Sequence, residues 1–242
     1  MSNDQYAVLA ELAGGFIHEI KNHLSTLSLN LQLLAEDFQE PETQRERRAS
    51  QRVHRLQSEC QRLVEVSNDF LRFARIKELK LEAADLDKVL EEMTDFFGPT
   101  ARAANIDLKT YLPADLPQVS LDKELFKQAL LNLLLNAEQA MPQGGAVTIQ
   151  AGVEPARLQG QDAGGNGKCL CLSIIDTGQG MAPDALAKIF QPFFSTKPSG
   201  SGLGLPTTRK IVEGHHGTID VQSEPGKGTK ITIKLPALTP QA

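Results

Sequence analysis

A histidine, a carboxylate and an amide fall within five residues, His18-Glu19-Ile20-Lys21-Asn22. A neutral imidazole has a free lone pair near neutral pH, so it accepts a phosphoryl group with little activation. A carboxylate that holds the other ring N–H fixes the tautomer and strengthens the nucleophile, and Glu19 is adjacent. A second stretch, Asn132-Leu133-Leu134-Leu135-Asn136-Ala137, sets two amides four residues apart. On a helix they share one face. Amide oxygens are hard ligands suited to Mg²⁺, which keeps several waters and bridges phosphates. A third, Asp176-Thr177-Gly178-Gln179-Gly180, ends an apolar strand in a carboxylate and a glycine turn. That carboxylate can accept the adenine amino hydrogen, and Gly178 and Gly180 let the backbone approach a base. A fourth, Gly200-Ser201-Gly202-Leu203-Gly204-Leu205, leads into a helix. Glycine-rich backbone at a helix start offers N–H groups and a positive dipole end to phosphate. Each stretch alone is unspecific. In this order they describe transfer of a nucleotide's γ-phosphate to a histidine of the chain itself.

Two kinds of element must position these groups. In the first third, apolar residues fall at Leu9, Ala13, Phe16, Ile20, Leu24, Leu27, Leu31, Leu34 and Phe38, in steps of three and four. That spacing predicts a helix with a coiled-coil seam. Two consecutive four-steps, Phe16–Ile20–Leu24, make a stutter that brackets His18 and locally unwinds a supercoil. His18 lies off the seam and is expected to face outward, with Asn22 above it on the same face. Gly14 and Gly15 precede it by one turn. Each costs a helix about 1 kcal/mol relative to alanine, and room for another domain to approach the imidazole is a reason for both. Glu40-Pro41-Glu42-Thr43 predicts a turn. A second helix carries the heptad Val53, Leu56, Cys60, Leu63, Ser67, Phe70 and Ala74. One hairpin cannot cover both seams, so a four-helix bundle formed by a homodimer is expected. After a linker near Lys77-Glu78-Leu79-Lys80 the pattern becomes mixed. Helices are predicted from Leu86 to about Ala104 and from Asp122 to Met141. Strands are predicted at Ile106–Tyr111, Val147–Gln150, Leu170–Ile175, Thr218–Val221 and Lys230–Lys234. Leu158–Lys168 reads as a flexible hairpin excursion. A mixed sheet covered on one face by helices is an α/β sandwich.

Read together, the four stretches closely resemble the catalytic core of the sensor histidine kinases of bacterial two-component systems, over nearly the whole chain from about Leu9 to about Leu235. The resemblance implies a dimerisation and histidine-phosphotransfer hairpin over residues 1–77, a linker over 78–84 and a catalytic domain with a Bergerat-type ATP site over 85–242. It implies ATP and Mg²⁺ as cofactors and a response-regulator receiver domain as partner. It makes His18 the phosphoacceptor and Glu19 its assistant, and Asn22 a candidate for dephosphorylating the partner by orienting water. It assigns Asn136 to the metal, Asn132 to phosphates and Asp176 to adenine. Gly178, Gly180, Gly200, Gly202, Leu203 and Gly204 complete the nucleotide contacts. Ile189-Phe190-Gln191-Pro192-Phe193-Phe194-Ser195-Thr196-Lys197 looks like the family's lid segment. Its phenylalanines either anchor a mobile flap or pack in the core, and Lys197 is expected to reach phosphate. Gly226-Lys227-Gly228-Thr229 resembles the tight turn between the last two strands and reads as structural.

There are departures from the family pattern. Many relatives carry proline after the asparagine where this chain has His23, so no fixed kink follows the acceptor. Gln139 stands where some branches carry a basic residue, so phosphate neutralisation falls to Mg²⁺ and Lys197. The same fold resembles gyrase, the Hsp90 chaperones and the MutL proteins, which hydrolyse ATP with a glutamate four residues before the metal-binding asparagine. Here that position is Asn132, which cannot act as a general base for water. A plain ATPase is therefore disfavoured, and the remaining alternative is a nucleotide-responsive dimeric scaffold or phosphatase without kinase activity.

Composition sets outer bounds. The chain has 242 residues, 40% of them hydrophobic, with no run near the ~20 apolar residues a membrane helix needs. The start, Met1-Ser2-Asn3-Asp4-Gln5, has no secretory pattern. A net charge of −5 argues against nucleic acid as a main partner. Cys60, Cys169 and Cys171 lack metal-ligand spacing and read as reduced thiols packed as small hydrophobes. A cytoplasmic location is expected, with a longer parent protein still able to associate with a membrane.

Overall fold

The structure is a computed structural model that describes residues 3–76, 79–155, 168–197 and 200–238, and only the backbone of residues 3–19 and 75. The excursion expected at Leu158–Lys168 lies, apart from Lys168, outside the described residues, as does much of the expected linker start. Contacts divide the chain into two units. The first holds residues 1–77 together with 197–203; the second holds 78–196 and 204–242.

In the first unit, α1 (Asn3–Glu36) and α2 (Gln44–Arg75) form a hairpin. Thr43 starts α2 with a capping box. Its hydroxyl accepts from the Glu46 N–H at 3.2 Å, and the Glu46 carboxylate accepts from the Thr43 N–H at 3.1 Å. The Thr43 N–H, first among several donors, holds the Glu46 carboxyl below its ordinary value. Thr43-Gln44-Arg45-Glu46 is the sequence form of this device, and the turn expected over Glu40–Thr43 ends on it. Only part of the seam is covered. Leu24 and Val53 are buried between the helices, and Gln57 Nε2 donates to the Leu31 carbonyl at 3.3 Å. Leu27, Leu34, Leu56 and Leu63 are 41–54% exposed, so among the described residues these seam positions are left uncovered.

The second unit is a sheet under helices. It opens with β1 (Glu82–Ala84), a strand inside the stretch expected to be linker. β1 pairs antiparallel with β3 (Val119–Leu121), making a small separate sheet that the sequence patterns did not reveal. Between them lie α3 (Leu86–Ala103) and β2 (Ile106–Tyr111). Next come α4 (Lys123–Gln139), β4 (Gly145–Pro155), β5 (Lys168–Asp176), the single turn α5 (Pro183–Leu186), α6 (Gly204–Gly214), β6 (Thr218–Glu224) and β7 (Gly228–Pro236). The main sheet has the order β2-β4-β5-β7-β6. β2 and β4 are parallel, with α4 in the crossover between them, and every other pair is antiparallel. The sheet is therefore mixed, as the sequence predicts.

Alternation decides which face is covered. Leu170, Leu172 and Ile174 of β5 and Ile231, Ile233 and Leu235 of β7 turn to the helices. There they meet Phe97 of α3 and Phe126, Leu130, Leu133 and Leu134 of α4, all almost fully buried. Cys169 and Cys171 lie on the opposite face of β5 and are also buried. On that face Lys234 and Glu154 form an ion pair of 2.7 Å. Burial first, then the Glu154 carboxylate, pushes the Cys171 thiol up to about 12, so it stays protonated and inert.

Candidate nucleotide site and phosphoacceptor helix

Asp176 is the last residue of β5 and only 7% exposed. Its Oδ1 accepts two backbone N–H groups, from Gly178 at 2.8 Å and from Thr229 at 3.2 Å. The carboxylate is thus fixed in place by main-chain donors of its own turn and of β7. Ser223 of β6 braces the β7 side. Its hydroxyl accepts from the Met181 N–H at 2.9 Å, lies 2.9 Å from the Thr229 hydroxyl and donates to the Gly228 carbonyl at 3.0 Å. Gly226 closes the clamp by donating to the Gln179 carbonyl at 2.7 Å. The β6–β7 turn, read first as structural, frames the Asp176 turn. Sequence reasoning passed over Ser223 and Thr229. The only available signal was the threonine that closes Gly226-Lys227-Gly228-Thr229.

The glycines of the turn have a nearer use than the approach of a base. Gly180 has φ +65° and Gly228 φ +91°, where side chains are rarely accommodated. A Cβ at Gly180 would run into the Glu224 backbone, and one at Gly228 into that of Asp176. A Cβ at Gly178 would meet Ala140 and the Asp176 carboxylate. All three allow the turn after β5 to pack against its own neighbours. On the other side, the Gln179 N–H donates to the Ala140 carbonyl at the end of α4 at 3.1 Å.

α4 carries the paired amides. Asp122 caps it, with Oδ1 accepting from the Leu125 N–H at 3.1 Å and Oδ2 from the Lys80 N–H at 2.9 Å. The Asp122 N–H donates to His215 Nε2 at 2.8 Å, and His215 Nδ1 donates to the Ile211 carbonyl at 2.8 Å. These bonds require the neutral imidazole, and burial pushes its pKa below the ordinary 6.5. Asn132 Nδ2 donates to the carbonyl of Gly204, the first residue of α6, at 3.4 Å. The structure thus brings Asn132, Gly204 and the helix bearing Asn136 together, with the Asp176 turn packed on the end of that helix. Arg209 of α6 pairs with Glu213 at 2.7 Å and lies 5.3 Å above the Phe190 ring, tying the expected lid's first phenylalanine to α6. Phe190 is half-buried, whereas Phe193 is exposed and adopts φ +66°.

Lys197, Gly200, Gly202 and Leu203 belong to the first unit, not the second. There the Ser201 hydroxyl donates to the Asp69 carboxylate of α2 at 2.8 Å and accepts from the Leu203 N–H at 3.3 Å. On α1, Asn22 is exposed, and its carbonyl accepts from Thr26. Lys21 reaches Asn68 of α2 at 3.2 Å. The side chains of His18 and Glu19, and so the outward orientation expected of His18, lie outside the described residues.

Residues 9–79 match the family described as His Kinase A (phospho-acceptor) domain, and residues 121–239 match Histidine kinase-, DNA gyrase B-, and HSP90-like ATPase. The chain belongs to the sensor histidine kinases. It is 34% identical to the sensor histidine kinase ZraS of Escherichia coli (strain K12) over 96% of its own length and 46% of that protein's. The chain spans about half the length of that relative. Among solved structures it resembles full-length ShkA in complex with AMPPNP, with TM-score 0.68 and 28% identity over the whole chain and 47% of ShkA. It also shares the fold of the histidine kinase ThkA in complex with the response regulator TrrA, with TM-score 0.66 and 24% identity over 97% of the chain and 64% of ThkA.

Among the described residues no helix is long and apolar enough to cross a membrane. The same residues contain no group of three or more His, Cys, Asp or Glu able to hold a metal. An amide donor such as Asn136 suits Mg²⁺ that binds mainly through phosphates and water.

Proposed function

We propose that the chain catalyses ATP-dependent autophosphorylation of His18 and passes the phosphoryl group to an aspartate of a response-regulator receiver domain. Residues 1–77 act as the dimerising phosphotransfer hairpin and residues 85–242 as the catalytic domain. The observation that carries this reading is the clamped Asp176 beside an asparagine-bearing α4, in a chain that also matches the phosphoacceptor family. A carboxylate held by two main-chain donors presents a fixed acceptor to the adenine amino group. Asn132 and Asn136 face the triphosphate, and Asn136 holds Mg²⁺. When bound, Mg²⁺ neutralises charge on the β- and γ-phosphates. Gly200, Gly202, Leu203, Gly204 and Lys197 close over the phosphates. His18 attacks the γ-phosphorus in line; the bond to the β–γ bridging oxygen breaks, and ADP leaves with that electron pair. Glu19 orients the imidazole, and positioning with charge stabilisation supplies most of the rate.

The exposed Leu27, Leu34, Leu56 and Leu63 support a homodimer whose four helices bury both seams. The likeness to ThkA, solved with TrrA, supports the response-regulator partner, and Asn22 serves dephosphorylation of that partner. The site is placed in the cytoplasm, where ATP and reduced thiols prevail. Incubation with γ-labelled ATP and Mg²⁺ tests the reading. Protein label that is acid-labile, alkali-stable and absent from His18→Ala is expected. Label surviving in that variant would remove His18 as acceptor.

A further inference from the structure

Helix α1 is nearly devoid of positive charge. Its 34 residues hold four acidic side chains, Asp4, Glu11, Glu19 and Glu36, and a single lysine, Lys21, with no arginine. Lys21 stands three residues after His18, one turn further along the helix. A helical side chain leans over the turn N-terminal to its own Cα, which carries the Lys21 stem back toward the His18 turn. Lys21 is half-buried, one turn before the buried Leu24, and its Nζ donates to Asn68 Oδ1 of α2 at 3.2 Å. That partner is neutral, and among the described residues Lys21 has no ion pair. The acids flanking Asn68 on α2 are engaged elsewhere. Asp69 accepts from the Ser201 hydroxyl at 2.8 Å, and Glu65 accepts from Gln61 Nε2 at 3.3 Å.

An ammonium held by a neutral amide keeps its charge for another anion, whereas a carboxylate partner would cancel it. The second unit shows the contrast: Lys88, Lys109, Lys127, Lys227 and Lys234 are each paired with a carboxylate. The anion that fits Lys21 is a phosphoryl group on His18. Such a group bears a charge of about −1.5 to −2 near pH 7, and it forms on the residue next to Glu19. Lys197 belongs to the nucleotide side of the proposed reaction, so once ADP has left, the transferred group needs a cation on the hairpin itself. The Gln57–Leu31 and Lys21–Asn68 bonds set an antiparallel register that brings Leu71 and Arg72 of α2 level with the His18 turn. Arg72 is exposed, and among the described residues no bond fixes it. Lys21 differs in being anchored across the hairpin.

We propose that Lys21 neutralises the phosphoryl group on His18, and that Asn68 is its positioning residue, holding the ammonium without cancelling its charge. The inference rests on His18 being the acceptor, which His18→Ala checks first. Label surviving in that variant overturns the acceptor assignment and this inference with it. With that label absent, ³¹P NMR of the phosphorylated full chain follows the second ionisation of the phosphoryl group between about pH 6 and 9. The chain is phosphorylated with ATP, or with phosphoramidate where a variant labels too slowly, and the His18 signal is identified by its absence from His18→Ala. Lys21→Gln is expected to raise the second pKa of the phosphoryl group by about 0.5 and to slow autophosphorylation about threefold at an unchanged ATP dissociation constant. Lys21→Arg keeps the charge and is expected to retain the wild-type values of both. Asn68→Asp keeps an acceptor for the ammonium but adds a carboxylate. It is expected to raise the same pKa while thermal melting of the hairpin stays at or above wild type. A purely structural contact predicts the reverse, a wild-type titration in Asn68→Asp and only a lower melting temperature in Lys21→Gln. An unchanged pKa in Lys21→Gln, a wild-type titration in Asn68→Asp, or an equal rise in Arg72→Gln would each overturn the proposal.

Discussion

The hairpin and the α/β unit meet the same demand for burial in opposite ways. The α/β unit closes on itself. Phe97, Phe126, Leu130 and Leu172 are almost fully buried, and among its buried polar groups Asp176 and His215 each bind backbone. The hairpin buries Leu24 and Val53 but leaves Leu27, Leu34, Leu56 and Leu63 in the open. The α/β unit fixes its Asp176 turn with its own donors, whereas the hairpin leaves part of its seam uncovered. The position of the Asp176 carboxylate therefore needs only this chain.

The largest expected effect probes the closed side. Phe126→Ala should cost the α/β unit about 3–5 kcal/mol, because a ring packed against His215 and the α4 core leaves a cavity. Denaturant unfolding of the wild-type and variant chains measures this. An equal loss in hairpin helicity would mean that the two regions melt as one. Next comes the open side. Leu56→Asp should leave the unfolding of the α/β unit within about 0.5 kcal/mol of wild type yet shift the chain from dimer to monomer in sedimentation. An unchanged dimer would mean that this leucine row is not the interface. Asp176→Asn should cost roughly 1–3 kcal/mol in ATP affinity, since a neutral amide is a weaker acceptor and one of its ends donates. Calorimetric titration with ATP reads this directly, and wild-type affinity would remove Asp176 from the adenine site.

The sequence made the two regions unequally legible. Period and alternation placed α3, β2, α4 and β4 to β7, since those elements each bury a face against one continuous core. The strand at Glu82–Ala84 was hidden because three residues show no period, and its partner Val119–Leu121 is equally short. Asp176 was legible as a strand-end carboxylate. Its clamp was not, because the distant donor is the backbone N–H of Thr229, braced by the Ser223 hydroxyl, and both are brought near only by the β5–β7 and β6–β7 pairings. Backbone donors carry no residue signature. Gly178 and Gly180 were singled out for the approach of a ligand, and tight packing leaves the same mark in a sequence. Likewise the sequence carries no signal for His215, and only the fold brings its ring to the start of α4.

That His215 contact gives a pH test confined to the closed region. Its pKa is depressed in the folded chain by burial. Its stabilising contribution is therefore present above the ordinary value of 6.5 and is lost as pH falls through the lower folded value. Protonation leaves the Asp122 N–H without an acceptor, a loss of roughly 1–3 kcal/mol. Unfolding of the α/β unit should become easier between pH 7 and about pH 5, and His215→Gln should flatten that slope. A slope unchanged in the variant would assign the pH dependence to other groups.

The smallest expected effect falls on the open region. Thr43→Ala removes one half of the capping box and leaves the Glu46 N–H without its side-chain acceptor. The cost is about 1 kcal/mol at the start of α2, with no route to the α/β core. Hydrogen exchange should accelerate over the first turns of α2 while α4 and β5 keep their protection. Dimerisation sharpens the expectation. In a four-helix bundle the cap guards the end of a packed helix, so its loss should be felt as weaker association at low concentration. Faster exchange that is independent of concentration would instead mean that the hairpin's end frays alone, outside any bundle.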